Sequence, residues 1–229
     1  MGSCSSSGKG GGLGGGGVAK GELTLPDGSK IEFDGDLVFG ELDKTVPQAV
    51  RKNLDVWENK RYGNKVEYAM SYYPDGTPIG KEVKGGKGSV KTPLSYHATD
   101  GATFTHNHPR GDGMLGGTFS SADLHNFAIG GNTTCRATAK EGTYSISKGK
   151  NFDKVGFNGY VAKANIDFIT SQREAHSKIQ KSYNDGKISY EQAKLQQGKA
   201  FNTALVNLHN AYLNGQKQYG YTYTLEKRK

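Results

Sequence analysis

His106 and His108 stand two residues apart in Thr-His-Asn-His-Pro, and Asp123 follows in Ser120-Ser121-Ala122-Asp123. In an extended strand, residues i and i+2 project to the same face, so both imidazoles can reach one ion while Asn107 faces away. Pro109 then ends the strand. Ser120 and Asp123, three positions apart, share one face of a first helical turn. Two imidazoles and a carboxylate leave one position of a tetrahedral Zn2+ free for water, which is the arrangement of a catalytic site; a structural zinc is closed by four protein ligands. Zinc so held lowers the pKa of its water to about 7, and an acid elsewhere in the chain must move the proton. The bland alternative makes the histidines ordinary hydrogen-bonded residues, and Ser120 and Asp123 mere helix caps. The joint order of H-x-H-P and S-x-x-D outweighs it. His97, His125, His176 and His209 carry no such partner pattern and read as surface or core residues, with His125 near enough in sequence to line a cleft.

Glu67-Tyr68, then strand, turn, strand and a Gly-containing segment, then THNHPRG and SSAD, resembles the JAMM (JAB/MPN+) zinc metalloprotease family. The HNHP-G wording is closest to its RadC-like bacterial branch. The segments TFSSADL and EGTYSI are similar to JAB domains attached to phage head-morphogenesis proteins and polymorphic toxins. The resemblance spans about Thr45 to Ser147. It implies His106, His108 and Asp123 as ligands of Zn2+, Ser120 as a helper of the oxyanion, and Glu67 as the general acid/base. Glu82 is the rival for that last role but falls late in the returning strand. The activity implied is hydrolysis of a peptide or isopeptide bond in a protein, peptide or conjugate. Two other readings stand beside it. One is a phage or polymorphic toxin or effector module acting on another substrate such as nucleic acid. The other is a non-enzymatic MPN-like scaffold, although scaffold members lose ligands that this chain retains. The loop from Arg110 to Phe119 is longer than the family pattern, as a flap or an insertion.

The elements that must position these residues follow from periodicity. Glu22 to Leu25 and Lys30 to Phe33 read as a hairpin around Pro26-Asp27-Gly28, with a short strand at Leu37 to Leu42. Val46, Val50, Leu54 and Trp57 predict a helix over 45–60, with Thr45 as its cap and Pro47 in its first turn. Strands are expected at 65–73, 78–83, 89–92, 102–108, 134–140 and 143–147, and a short helix from Ser120 to Phe127. Beyond about Phe157 the pattern becomes helical. One amphipathic helix ends near Asn184-Asp185-Gly186, and a second opens on the capping-box pair Ser189 and Gln192. A strand at 219–225 closes the chain. The fold class is α+β: a mixed MPN/JAB-like sheet flanked by helices, with a C-terminal helical hairpin. The chain divides into a Gly/Ser-rich tail (1–19), a metalloprotease domain (20–155) and a hairpin extension (156–229).

Bulk properties set the bounds. The 229 residues are 34% hydrophobic and include 34 glycines, and the mean hydropathy of −0.69 points to tails and solvated helices besides the core. Residues 1–19 have too little apolar surface to offset the entropy of ordering them. Met1-Gly2 with Ser6 fits the N-myristoylation pattern, with Cys4 beside it, but a Gly/Ser-rich leader produces that match readily. No apolar stretch approaches the ~20 residues of a membrane span, and no secretory signal of the ordinary kind is expected. A cytoplasmic protein, or one delivered by another route, fits both. Cys4 and Cys135 lie in unlike surroundings and predict no disulfide. Of the net charge of +8, a local +6 comes from 12 Lys/Arg against 6 Asp/Glu between Asn151 and Lys229. It is spread along two helices and predicts weak affinity for anions such as nucleic acid, not a specific groove.

Overall fold

The computed structural model describes residues 16–91, 100–109, 111 and 113–227. The leader with Cys4, and also His97, Arg110, Asp112 and the last two residues, lie outside these. The element order is β1 (Val18–Thr24), β2 (Lys30–Val38), α1 (Gln48–Arg61), β3 (Tyr68–Tyr72), β4 (Val83–Lys84), β5 (Thr103–Asn107), α2 (Ser121–Ile129), β6 (Thr134–Thr138), β7 (Thr143–Lys148), α3 (Lys154–Asn184), α4 (Tyr190–Tyr219) and β8 (Tyr221–Glu226). The class is α+β. β1 and β2 form an antiparallel two-stranded sheet, and the remaining strands form a six-stranded mixed sheet in the order β4-β3-β5-β6-β7-β8. Only β5 and β6 run parallel, and α2 makes the crossover between them.

The two faces of the large sheet differ in chemistry. One carries Phe104, Cys135, Ala137, Tyr144, Ile146, Tyr223 and Leu225, and packs with α2, α3 and α4 into one core that also includes Ile31, Phe33 and Leu37 of β2. The other carries Thr103, Thr105, Thr134, Arg136, Ser145 and Ser147, all buried. α1 covers part of it through Val50, Leu54 and Trp57 against Met70 and Tyr72. The segment 156–229 therefore shares its core with the rest: α3 and α4 form a hairpin on the apolar face, and β8 completes the sheet.

On the polar face Arg136 is 1% exposed. Its Nε and Nη2 donate to Glu58 of α1 at 2.7 and 3.0 Å, and its Nη1 and Nη2 donate to Glu226 of β8 at 3.0 and 2.9 Å. Glu226 Oε1 also accepts the Asp43 N–H at 2.7 Å, and Asp43 Oδ2 accepts from Ser145 and Ser147 at 2.8 and 2.7 Å. Four of the five N–H donors of the guanidinium are thereby paired with two carboxylates, which offsets much of the cost of burying its charge.

Some local expectations need correction. Thr45 does not cap α1: its hydroxyl donates to Asp43 Oδ1 at 2.6 Å, and Pro47 holds the N-cap position with no side-chain cap. The segment 78–83 returns mostly without a ladder, because Pro78 and Gly80 interrupt it, and only Val83–Lys84 is strand. Residues 89–91 form no strand; Thr92 lies outside the described residues. The 37–42 strand is absorbed into a longer β2, followed by a single bridge from Gly40 to Glu226. The predicted capping box at Ser189 and Gln192 is present. No helix among the described residues is long and apolar enough to cross a membrane.

Burial alone would raise the carboxyl pKa values of Glu226 and Asp43. The Arg136 charge for Glu226, and the hydroxyls of Thr45, Ser147 and Ser145 for Asp43, outweigh it and hold both below their ordinary range. Groups depressed in this way stabilise the fold above their unfolded pKa values, and that contribution is lost as pH falls through the lower folded ones. Unfolding by urea should therefore show a midpoint that drops as pH is lowered below about 4. Arg136→Met, which strands two buried carboxylates, should lower stability by about 3–5 kcal/mol at neutral pH. A wild-type midpoint unchanged down to pH 3 would contradict the first expectation.

Candidate metal centre

β5 is an interior strand, so the histidines lie at its carboxyl end and not on a lateral edge of the sheet. Ala69 of β3 pairs directly with His106. Directly opposed residues share a face, so Ala69, His106 and, two positions on, Glu67 and His108 all project to the same side. This is the apolar face, where Phe104 stacks on His106 with ring centroids 5.2 Å apart and Phe119 lies 6.3 Å away. Asn107 faces the other way, as its place in the strand requires. Its amide nevertheless acts on Glu67, because Nδ2 donates to the Val66 carbonyl at 3.1 Å and Oδ1 accepts the Tyr68 N–H at 2.7 Å. Glu67 itself exchanges backbone hydrogen bonds with Gly85 and Gly86. The candidate base thus sits on a backbone clipped from both sides.

α2 brings the third donor. Ser120 is its N-cap and Asp123 its N3 residue, in a complete capping box. Ser120 N–H and Oγ–H donate to Asp123 Oδ2 at 2.8 and 2.7 Å, and Asp123 N–H donates to Ser120 Oγ at 3.1 Å. The bland reading of these two residues as caps is correct and incomplete. The same carboxylate oxygen lies 3.6 Å from His106 Nε2 and 3.9 Å from His108 Nε2, and the two Nε2 atoms are 2.8 Å apart.

Among the described residues, His106, His108 and Asp123 form the one group of three such side chains able to hold a metal ion. Donors about 2.0–2.2 Å from a tetrahedral zinc stand roughly 3.3–3.5 Å from one another, and the three observed separations bracket that range. The donor set and its spacing fit Zn2+. His106 is 2% exposed, and its Nδ1 has no hydrogen-bond partner of good geometry. Burial opposes its protonation, but the Asp123 and Glu67 carboxylates overcome this and raise its pKa. Burial likewise opposes the charge on Asp123, yet His106, His108 and the Ser120 hydroxyl hold its carboxyl well below the ordinary range. A cation placed among these groups replaces the proton the histidines would otherwise compete for.

The remaining sequence candidates separate cleanly. Glu82 accepts from Trp57 Nε1 at 2.6 Å and from the Arg61 guanidinium, so α1 engages it away from the histidines. His125 is exposed on α2 and outside the donor group. His209 is a core residue: its ring bridges the Tyr223 hydroxyl and the Val38 carbonyl, and burial lowers its pKa to about 4. Cys135 is a free, buried thiol whose pKa burial pushes up, so it packs and does not react. Residues 115–119, the inner half of the glycine-rich loop, are buried against the site. Sequence reasoning missed Asn107, whose role depends on the β3–β5 pairing and has no local signal.

No family model matches the chain, and no curated protein or solved structure matches it.

The protein should bind one divalent metal ion per chain, lost in Asp123→Ala, as measured by metal analysis after gel filtration. Asn107→Asp keeps the acceptor for Tyr68 but sets a carboxylate oxygen against the Val66 carbonyl. It should cost about 1–3 kcal/mol in chemical denaturation while the metal still binds, because Asn107 lies off the histidine face. Unchanged stability would refute the clip.

Proposed function

We propose that the protein is a zinc-dependent hydrolase of the JAMM kind that cleaves a peptide or isopeptide bond. The observation that carries this reading is the position of Glu67. It lies on the same sheet face as His106 and His108, within electrostatic reach of His106, beside a donor set that leaves a zinc position for water. A purely structural zinc has no use for a buried carboxylate there, and Glu67 is 8% exposed.

When bound, zinc would supply Lewis acidity and lower the pKa of water to about 7. His106, His108 and Asp123 would hold it. The Glu67 carboxylate accepts a proton from the attacking water and delivers it to the leaving nitrogen of the scissile amide. Its shielded setting, with Phe104 and Phe119 around His106, strengthens the charge interactions on which that transfer depends. Ser120 Oγ–H points at Asp123 Oδ2, so it orients the ligand carboxylate. The oxyanion role that the resemblance implies requires this proton to turn toward substrate, which Oγ can do while still accepting the Asp123 N–H. The partially exposed rim formed by His108, Asp123 and Ser120 is where substrate enters.

Glu67→Gln should retain one zinc per chain and reduce cleavage of a peptide and isopeptide panel by about 10²–10⁴-fold. Wild-type turnover in the zinc-loaded variant would remove Glu67 from the mechanism.

A further inference from the structure

Glu141 lies in the turn between β6 and β7, 4% exposed, and the proposed hydrolysis assigns it nothing. Its carboxylate is engaged by the loop that precedes α2. Oε2 accepts the Gly116 N–H at 2.9 Å, and Oε1 accepts the Gly117 N–H at 2.8 Å and the Tyr144 hydroxyl at 2.8 Å. Two consecutive backbone amides are thus held by the two oxygens of one carboxylate. Such charge-assisted bonds are shorter and stronger than neutral ones.

Both glycines are required by this geometry. A Cβ on Gly116 would stand 2.4 Å from Ala139 Cβ, and Gly117 has φ +87° with Leu205 Cδ2 3.0 Å from where its Cβ would be. On the upstream side Asn202 of α4 accepts the Leu115 N–H at 3.0 Å and donates to the carbonyls of Gly113 and Glu32 at 3.0 and 2.9 Å. This half of the loop is consequently a fixed support, anchored by the C-terminal hairpin and by the β6–β7 turn.

The residue so fixed presents its own carbonyl to the site. Gly117 O lies 3.0 Å from His108 Nδ1. A carbonyl only accepts, so Nδ1 carries the proton and Nε2 keeps its lone pair, facing His106 Nε2 and Asp123 Oδ2. Asn202 holds the loop further upstream, at Gly113 and Leu115. Among the described residues, it is Glu141 that holds the amide of the residue whose carbonyl His108 uses.

We infer that Glu141 is a positioning residue: through Gly116 and Gly117 it fixes the tautomer and direction of His108 and so sets the affinity of the centre for metal. The consequence for metal rests on the ligand assignment of His106, His108 and Asp123; the consequence for the His108 ring does not. Partners of this kind, one shell behind a ligand, typically change metal affinity by 10–100-fold.

The test uses the full chain and the Glu141→Gln variant, whose amide offers one acceptor where two are needed. In metal-free protein, nitrogen NMR of the imidazoles should show His108 of the wild type as the Nδ1–H form, and a mixture of both forms in the variant. Chelator competition should show zinc bound about 10–100-fold more weakly by the variant. In a His108→Ala background the same change should have little further effect, because its path through the ring is gone. A folded variant with the wild-type His108 signal and zinc affinity would overturn the inference, as would an equal loss of affinity in the His108→Ala background. Should Glu141→Gln not fold, Glu141→Asp keeps the charge but falls one methylene short, and the same readings decide. A wild type with a fixed His108 tautomer that Glu141→Gln releases, yet no zinc binding, would sink the metal reading and leave the positioning role standing.

Discussion

A one-residue slip between β3 and β5 would turn Glu67 to the opposite face of the sheet from His106 and His108. Three features oppose that slip. The ladder from Ala69–His106 to Tyr72–Thr103 sets the pairing. Asn107 clips the backbone on both sides of Glu67, and Met70 and Tyr72 can reach the α1 cluster only in the observed phase. The proposed chemistry depends on this register more than on any single contact, because strand alternation converts it directly into which side chains meet.

The sheet meets different demands on its two faces. The apolar face buries His106 among aromatic rings and leaves His108 at the partly exposed rim, so charge interactions are strong beside His106. The opposite face is lined with buried Thr and Ser, and at its centre Arg136 joins α1, β6 and β8 through Glu58 and Glu226. That network specifies which elements lie together, though replacing a buried ion network with apolar residues often costs little stability. It also ties the last strand of the chain to the helix that precedes β3. The C-terminal hairpin contributes from the apolar side, through Asn202 to the loop and His209 to Tyr223.

Much of this was legible in the sequence because the signals were local. Two-residue periodicity found β5 and placed His106 and His108 together. Capping chemistry found α2 and α4 at Ser120 and Ser189, and Asp123 was legible both as a cap and as a donor. What stayed hidden was non-local. Arg136 reads as an ordinary strand residue until Glu58 and Glu226 arrive from distant segments. Glu141 falls between two expected strands, and Gly116-Gly117 in a loop that reads as a flap or an insertion, with no local sign that the two meet. Thr45 was misread for a related reason: Asp43, two residues before it, takes the hydroxyl a cap would have used. The boundary drawn near residue 156 followed a change in composition, whereas the core follows burial and crosses it.

The central claim is that one metal ion sits among His106, His108 and Asp123. The most direct measurement is anomalous diffraction from a crystal of the zinc-loaded protein, recorded on both sides of the zinc absorption edge. A single peak within bonding distance of His106 Nε2, His108 Nε2 and an Asp123 carboxylate oxygen is the predicted result. A peak held by other residues, or none at this site in protein carrying stoichiometric zinc, would contradict it.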